Sequence, residues 1–196
     1  MRRLGADVYV LDYSEQSLRM IRLLCADGPF QMVLGDALAC PFADQTFDVV
    51  FHQGLLEHLS APAHLLAENH RILKDGGYLI VDVPQTFHFY TIMKHVLMGL
   101  GLWFGGWERQ FTVASLTRLL EASGFRPVRA YGDWSKPGIF YKMARMALGK
   151  LGVSLPMYPR YAGAVTQVFY RLQDRLRRKR LFLYTVLSIG VICRKA

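Results

Sequence analysis

Acidic side chains almost vanish from the last third of this chain. Of its 15 Asp and Glu, only Asp133 and Asp174 lie beyond Phe125, while 15 of the 24 Lys and Arg do. Residues 1–125 therefore carry a net charge of −4 and residues 126–196 a net charge of +13. Cysteine is scarce too. Cys25, Cys40 and Cys193 cannot complete an even disulfide framework, and no two have metal-ligand spacing. They are expected as reduced thiols of a cytosolic protein. No apolar stretch reaches the roughly 20 residues of a membrane span. Lys94 and His95 break the run Ile92–Gly106, and Leu181–Cys193 is too short. Arg2-Arg3 is not followed by an apolar core, so the start does not have the make-up of a signal peptide. Internal repeats and low-complexity tracts are missing as well.

What is present suits a packed domain: 196 residues, 52% hydrophobic and 13% aromatic. Val8–Leu11, Gln31–Leu34, Phe47–Phe51 and Tyr78–Val83 are short, β-rich runs. Between them, Ser14 caps a helix carrying Leu18, Ile21 and Leu24, and Ala61–Lys74 forms another, with Gly76-Gly77 after its end. Thr112 caps a helix through Ala122, Phe125–Tyr131 is a strand and Thr185–Cys193 a closing strand. Strands that read as continuous apolar runs and alternate with helices indicate an α/β fold, a mostly parallel sheet with helices on both faces.

Ligands of such sheets sit beyond the carboxyl ends of the strands. Asp12, Asp36 and His52-Gln53-Gly54 stand at three successive ends. Singly, an Asp after a strand is more often a turn former. Together they suit a nucleoside, with one carboxylate on the ribose hydroxyls and another on an adenine amino group.

Val8-Tyr9-Val10-Leu11-Asp12, Gly35-Asp36-Ala37, Phe47–Phe51 with Leu55-Leu56-Glu57-His58-Leu59, and Arg71-Ile72-Leu73-Lys74-Asp75-Gly76-Gly77 follow one another in a recognisable order. This series resembles the class I S-adenosylmethionine-dependent methyltransferases, in the branch acting on small molecules and lipids. Trp107-Glu108-Arg109-Gln110-Phe111-Thr112 resembles a later part of the same family. The resemblance implies a Rossmann-like sheet whose last strand is antiparallel. It also implies S-adenosylmethionine as cofactor, with Asp12 on the ribose, Tyr13 against the adenine, and Asp36 and Ala37 at the adenine edge. His52 and Gln53 would lie near the methionine end. His52 and His58 are the candidate bases, although a histidine so placed is more often a packing or capping residue. No histidine and acid have metal spacing, so a metal-independent reaction is expected.

The family pattern has an earlier strand ending in a glycine-rich loop that cradles the methionine end. Here Arg2-Arg3-Leu4-Gly5-Ala6 already corresponds to the helix after that loop, so the first strand, the loop and most of the first helix are missing. That strand would stand between the ones ending at Asp12 and Phe51. Its absence exposes two rows of ladder groups, each costing roughly 1–3 kcal/mol if buried unpaired. Several together rival the roughly 5–15 kcal/mol of a domain's stability. The expectation is a truncated reading that binds the cofactor poorly or not at all. A partner chain or a rearranged strand in the slot is the alternative.

Within a single domain, residues 1–85 are expected to form the partial cofactor-binding core and 86–110 an apolar lid. Residues 111–196 would hold the rest of the sheet with a basic helical insertion at about 136–180. Apolar and cationic residues together, as in Val165, Val168, Phe169, Leu172 and Leu176 beside Arg171 and Arg175, suit a helix at a membrane surface. The expected acceptor is small and apolar or lipid-like, reached by a cytoplasmic protein in peripheral contact with the inner membrane. Nucleic acid is disfavoured, since no recognised motif accompanies the basic run Arg175–Arg180. A solvated face serving solubility, or one packed on the sheet, explains the same residues. Two other functions remain open: a non-catalytic Rossmann-like module binding a membrane or partner, and a nicotinamide-dependent oxidoreductase.

Overall fold

The computed structural model describes residues 5–25, 30–101, 108–133, 152–156 and 183–196, with residues 141, 144–145, 148–149, 168, 171–172 and 175–176. Most of the expected insertion at 136–180, Trp107, and Arg177–Arg180 of the basic run lie outside the described residues.

The elements follow the sequence closely: β1 (Val8–Asp12), α1 (Glu15–Leu24), β2 (Phe30–Leu34), β3 (Phe47–Gln53), a 3-10 turn (Leu56–His58) and α2 (Pro62–Ile72). Then come β4 (Leu73–Pro84), α3 (Phe89–Gly99), α4 (Val113–Ala122), β5 (Phe125–Asp133) and β6 (Ser188–Lys195). Caps explain two helix starts. The Ser14 hydroxyl accepts from the Ser17 N–H, and Thr112 and Ser115 form a reciprocal capping box.

Two sheets result. β1 and β2 pair in parallel, and a four-stranded sheet runs β3-β4-β6-β5. β3 and β4 are parallel, while β6 runs antiparallel to both β4 and β5, as expected of the last strand. The ladder is interrupted between β1 and β3, where the family resemblance implies a further strand. Each has a single paired neighbour among the described residues. Aromatic edges meet across this junction: Tyr9 of β1 lies 5.4 Å from Phe47 of β3, and Phe42 contacts both rings.

The core lies on one face of the four-stranded sheet. Leu79, Val81 and Val83 of β4 and Ile189 and Val191 of β6 pack there with Leu65 and Leu66 of α2 and Leu116 and Leu120 of α4. Alternation sends the intervening residues to the opposite face. Val49, Phe51 and Tyr78 on that face are 42%, 50% and 41% exposed.

Several boundaries differ from expectation. The second helix stops at Ile72 rather than Lys74, and Leu73 is already paired with Phe47. Gly76-Gly77 consequently serve a bulge in β4 and not a helix cap. Gly76 has φ +72°, and a Cβ on Gly77 would meet the Lys74 carbonyl oxygen at 2.8 Å. β3 continues through His52 and Gln53 beyond the apolar run. The closing strand starts at Ser188 and ends at Lys195, because the chain from Leu183 first makes a short 3-10 turn.

Candidate functional site

Asp12 and Asp36 come together at the carboxyl end of the β1–β2 pair. Asp12 is opposite Leu34 in the ladder, and its carbonyl accepts from the Gly35 N–H at 3.1 Å. Each carboxylate is oriented by the same local device. Asp12 Oδ1 accepts from the Ser14 N–H and Asp36 Oδ1 from the Leu38 N–H, both at 2.8 Å. These turns engage one oxygen of each acid and fix the direction of the other. Tyr13 is 85% exposed, and Ala37 packs on the edge of the core.

The loop after Asp36 is anchored by residues that sequence reasoning did not single out. Arg71 of α2 donates to the carbonyls of Cys40 and Phe42, to Asp44 Oδ1 at 2.6 Å and to both oxygens of Glu68. Glu68 in turn accepts from the Cys40 N–H at 2.7 Å. These partners hold the Glu68 carboxyl below its ordinary range and keep Arg71 charged. The only sequence signal was an Arg three residues after a Glu on one helix face.

At the end of β3 the three polar residues separate. Gln53 is exposed, and the Gly54 N–H is bonded to the Asp82 carbonyl at 3.2 Å. The His52 ring turns to the core face, where Asn69 Nδ2 lies 3.1 Å from its Nε2. Burial pushes its pKa down to about 4, so the ring is neutral near pH 7. The Asn69 amide supplies a donor, which makes Nε2 the acceptor and leaves the proton on Nδ1. His58 is exposed in the 3-10 turn.

The segment resembling the later part of the family is tied to these ends. The Arg109 N–H donates to the Glu57 carbonyl at 2.6 Å, and the guanidinium to the Ser60 carbonyl. Phe111 bridges to Gln85, whose fully buried amide donates to the Leu183 carbonyl at 2.7 Å. His88 and Thr91, at the start of the expected lid, are buried beneath it.

This end of the molecule carries two carboxylates held by backbone N–H groups, Asp12 at the end of β1 and Asp36 just past β2, with the exposed ring of Tyr13 between them in sequence. Among the described residues no cluster of His, Cys, Asp and Glu could hold a metal ion. A separate cavity of about 410 Å³ is lined by Arg145, Gly149, Gly152, Val153, Ser154 and Leu155 of the basic segment.

Comparison with known proteins bears on the family and the fold. Residues 1–81 match the family described as methyltransferase domain. A demethylmenaquinone methyltransferase of Renibacterium salmoninarum is 40% identical over 97 residues, which cover 48% of this chain and 40% of that protein. A ubiquinone biosynthesis O-methyltransferase of Dinoroseobacter shibae is 29% identical over 141 residues, covering 67% of this chain and 56% of that one. The chain thus spans about half the length of the curated relatives it matches. Its fold is shared with a solved S-adenosylmethionine-dependent methyltransferase of Methanosarcina mazei. There the TM-score is 0.63 at 14% identity, covering 98% of this chain and 83% of that chain. One from Archaeoglobus fulgidus gives a TM-score of 0.59 at 18% identity, covering 99% and 78%.

Proposed function

From the premise that residues 1–81 belong to the class I S-adenosylmethionine-dependent methyltransferase family, we propose that this chain serves methyl transfer to a small, quinone-like acceptor. The observation that carries the reading is the pair Asp12 and Asp36, fixed at the carboxyl ends of neighbouring parallel strands.

In this reading Asp12 accepts hydrogen bonds from the ribose hydroxyls and Tyr13 lies against the adenine. Asp36 accepts from the adenine amino group, and the Ala37 N–H meets a ring nitrogen. Gln53 stands toward the methionine end. His52, neutral and held by Asn69, supports the strand end there, and His58 is the exposed base candidate. The cofactor supplies an electrophilic methyl group on a sulfonium. The protein's part is to orient the acceptor and exclude water. No metal is required by this chemistry.

The quinone-like acceptor is suggested by the names of the two curated relatives, and an apolar tail by the chain's own surface. Ile92, Val96 and Leu100, four residues apart along α3 and just past it, are 52%, 57% and 65% exposed. Val168 and Leu172 are 64% and 52% exposed, beside exposed Arg171 and Arg175. Apolar and cationic groups presented together suit peripheral contact with an anionic membrane, where an isoprenoid acceptor would reside. No helix among the described residues is long and apolar enough to cross a membrane.

The interrupted ladder between β1 and β3 bears on affinity. Residues 1–196 alone are expected to bind S-adenosylmethionine weakly, since the strand position beside Asp12 is unfilled by described residues. Isothermal titration of the folded chain tests this, followed by transfer of labelled methyl to a short-tailed hydroxyquinol. Micromolar affinity would overturn the expected weakness and support the enzyme. No binding even after an N-terminal strand and Gly-x-Gly loop are fused to the chain would favour the non-catalytic module.

A further inference from the structure

Gly190 is the position in β6 where two side chains from other strands meet. The register aligns Asp82 of β4 with Gly190, and Gly190 with Tyr131 of β5. A Cβ at Gly190 would run into both Asp82 Oδ1 and the Tyr131 ring, so the missing side chain is what lets the two close over β6. The Tyr131 hydroxyl donates to the Asp82 carboxylate. Neither group belongs to the core: they stand on the opposite face from Leu79, Val81 and Val83, and both are half-buried.

Their location adjoins the site. Asp82 is in register with Gln53, the last residue of β3, and its carbonyl holds the turn at Gly54. One row lower on the same face are Phe51, Ile80 and Ile192, an apolar floor of which Phe51 is half exposed, with the exposed Arg129 of β5 in register beyond Ile192. A flat apolar row bordered by a carboxylate and a phenol is matched by an aromatic ring bearing a hydroxyl. Such a ring lies on the row, and its O–H donates to the carboxylate.

We propose that Asp82 is the catalytic base for the acceptor, with Tyr131 as its positioning residue; this deepens, and rests on, the methyl-transfer reading. The acceptor O–H bond breaks and its proton passes to Asp82. The oxygen electron pair forms the new bond to the methyl carbon, and the pair of the broken carbon–sulfur bond stays on sulfur as a neutral thioether. The carboxylate is suited to receive a proton. No ion pair reaches it among the described residues, and burial together with the charge of Asp133 pushes its pKa up, against the lowering hydrogen bond from Tyr131. Of the other neighbours, Gln53 on β3 and Gly190 on β6 carry no charge, and the nearest cation by register is Arg129 of β5, one row lower beyond Ile192.

The test is binding of catechol to the full chain, followed by calorimetry across the mildly acidic range with circular dichroism as the folding control. Wild type should bind and should lose binding as Asp82 takes up a proton. Asp82→Asn should weaken binding roughly tenfold and remove that acid limb. Tyr131→Phe should move the limb to higher pH, because a hydrogen bond that favours the charged carboxylate is lost. Asp133→Asn should move it to lower pH. A merely structural pair would not produce opposite shifts. Catechol binding unchanged in folded Asp82→Asn, or no binding by wild type, overturns the proposal. Titration with S-adenosylmethionine separates the two levels. Asp82-dependent catechol binding with no cofactor binding, even after the N-terminal strand and Gly-x-Gly loop are fused to the chain, upholds the acceptor site and fails the methyl-transfer reading, whereas cofactor binding with Asp82-independent catechol binding does the reverse.

Discussion

His52 and Asn69 form a part-buried side-chain pair, with Nε2 of one 3.1 Å from Nδ2 of the other, and it joins the end of β3 to α2. The pair fixes the ring as a neutral acceptor, and this makes the fold sensitive to acid. The His52 pKa is pushed down to about 4 from an ordinary 6.5. Between those values the unfolded chain binds the proton and the folded chain does not. Stability from this group is therefore complete above pH 6.5 and falls as pH drops toward 4, by about 3 kcal/mol at about 1.4 per pKa unit. Burial lowers His70 and His88 in the same direction. Urea unfolding at a series of pH values should show this acid limb, and His52→Gln, which keeps an acceptor for Asn69, should flatten it. An unchanged limb in His52→Gln assigns the effect to other groups.

Arg71 should not tolerate lysine. Its planar fork serves two carbonyls and two carboxylates at once, and an ammonium cannot reach all four. Because the guanidinium is partly exposed and solvent screens its ion pairs, the expected loss of stability for Arg71→Lys is modest. The more telling readout is faster amide exchange at Leu38–Asp44, the loop that follows Asp36. Unaltered exchange there would mean that the loop holds itself.

Gly190→Ala places a methyl group where the Asp82 carboxylate and the Tyr131 ring meet. Overpacking of this kind costs about 1–3 kcal/mol, visible as a lower melting temperature. Combined with Tyr131→Ala, which vacates the ring's space, the cost should shrink. Equal penalties in both backgrounds would show that the ring is not what the methyl group meets.

Sedimentation with vesicles tests the surface argument. Binding should be stronger to anionic than to neutral vesicles, fall with salt, and weaken when Ile92, Val96 and Leu100 are all changed to serine. These side chains are already in water, so the change should leave stability within about 0.5 kcal/mol. Equal sedimentation with both vesicle types removes membrane contact from the proposal.

The sequence made the strands and their polar ends legible because both signals are local. β-rich runs such as Val8–Leu11 stop at an acid, and Ser14 and Thr112 announce helices through their own hydroxyls. The direction of the His52 ring was not legible for the same reason. The apolar run ends at Phe51, but the β3–β4 ladder carries two more polar residues, and alternation then aims the ring at α2. The Asp82–Tyr131 pair could not be read locally, since it exists only because β6 enters between β4 and β5 from far along the chain. The isolated glycine within the apolar run Ile189–Cys193 was the one available hint.

The break between β1 and β3 also divides the molecule mechanically. The four-stranded side shares one continuous core, while outside that cluster α1 and the loop after β2 contribute only Leu18 and Cys40 as buried apolar residues. The two-stranded side should thus open on its own, exchanging its amide hydrogens well before the rest of the protein. Asp12 and Asp36 both sit on that looser half. A nucleoside that engages both would stiffen the half it lands on, and its affinity would carry the cost of that ordering.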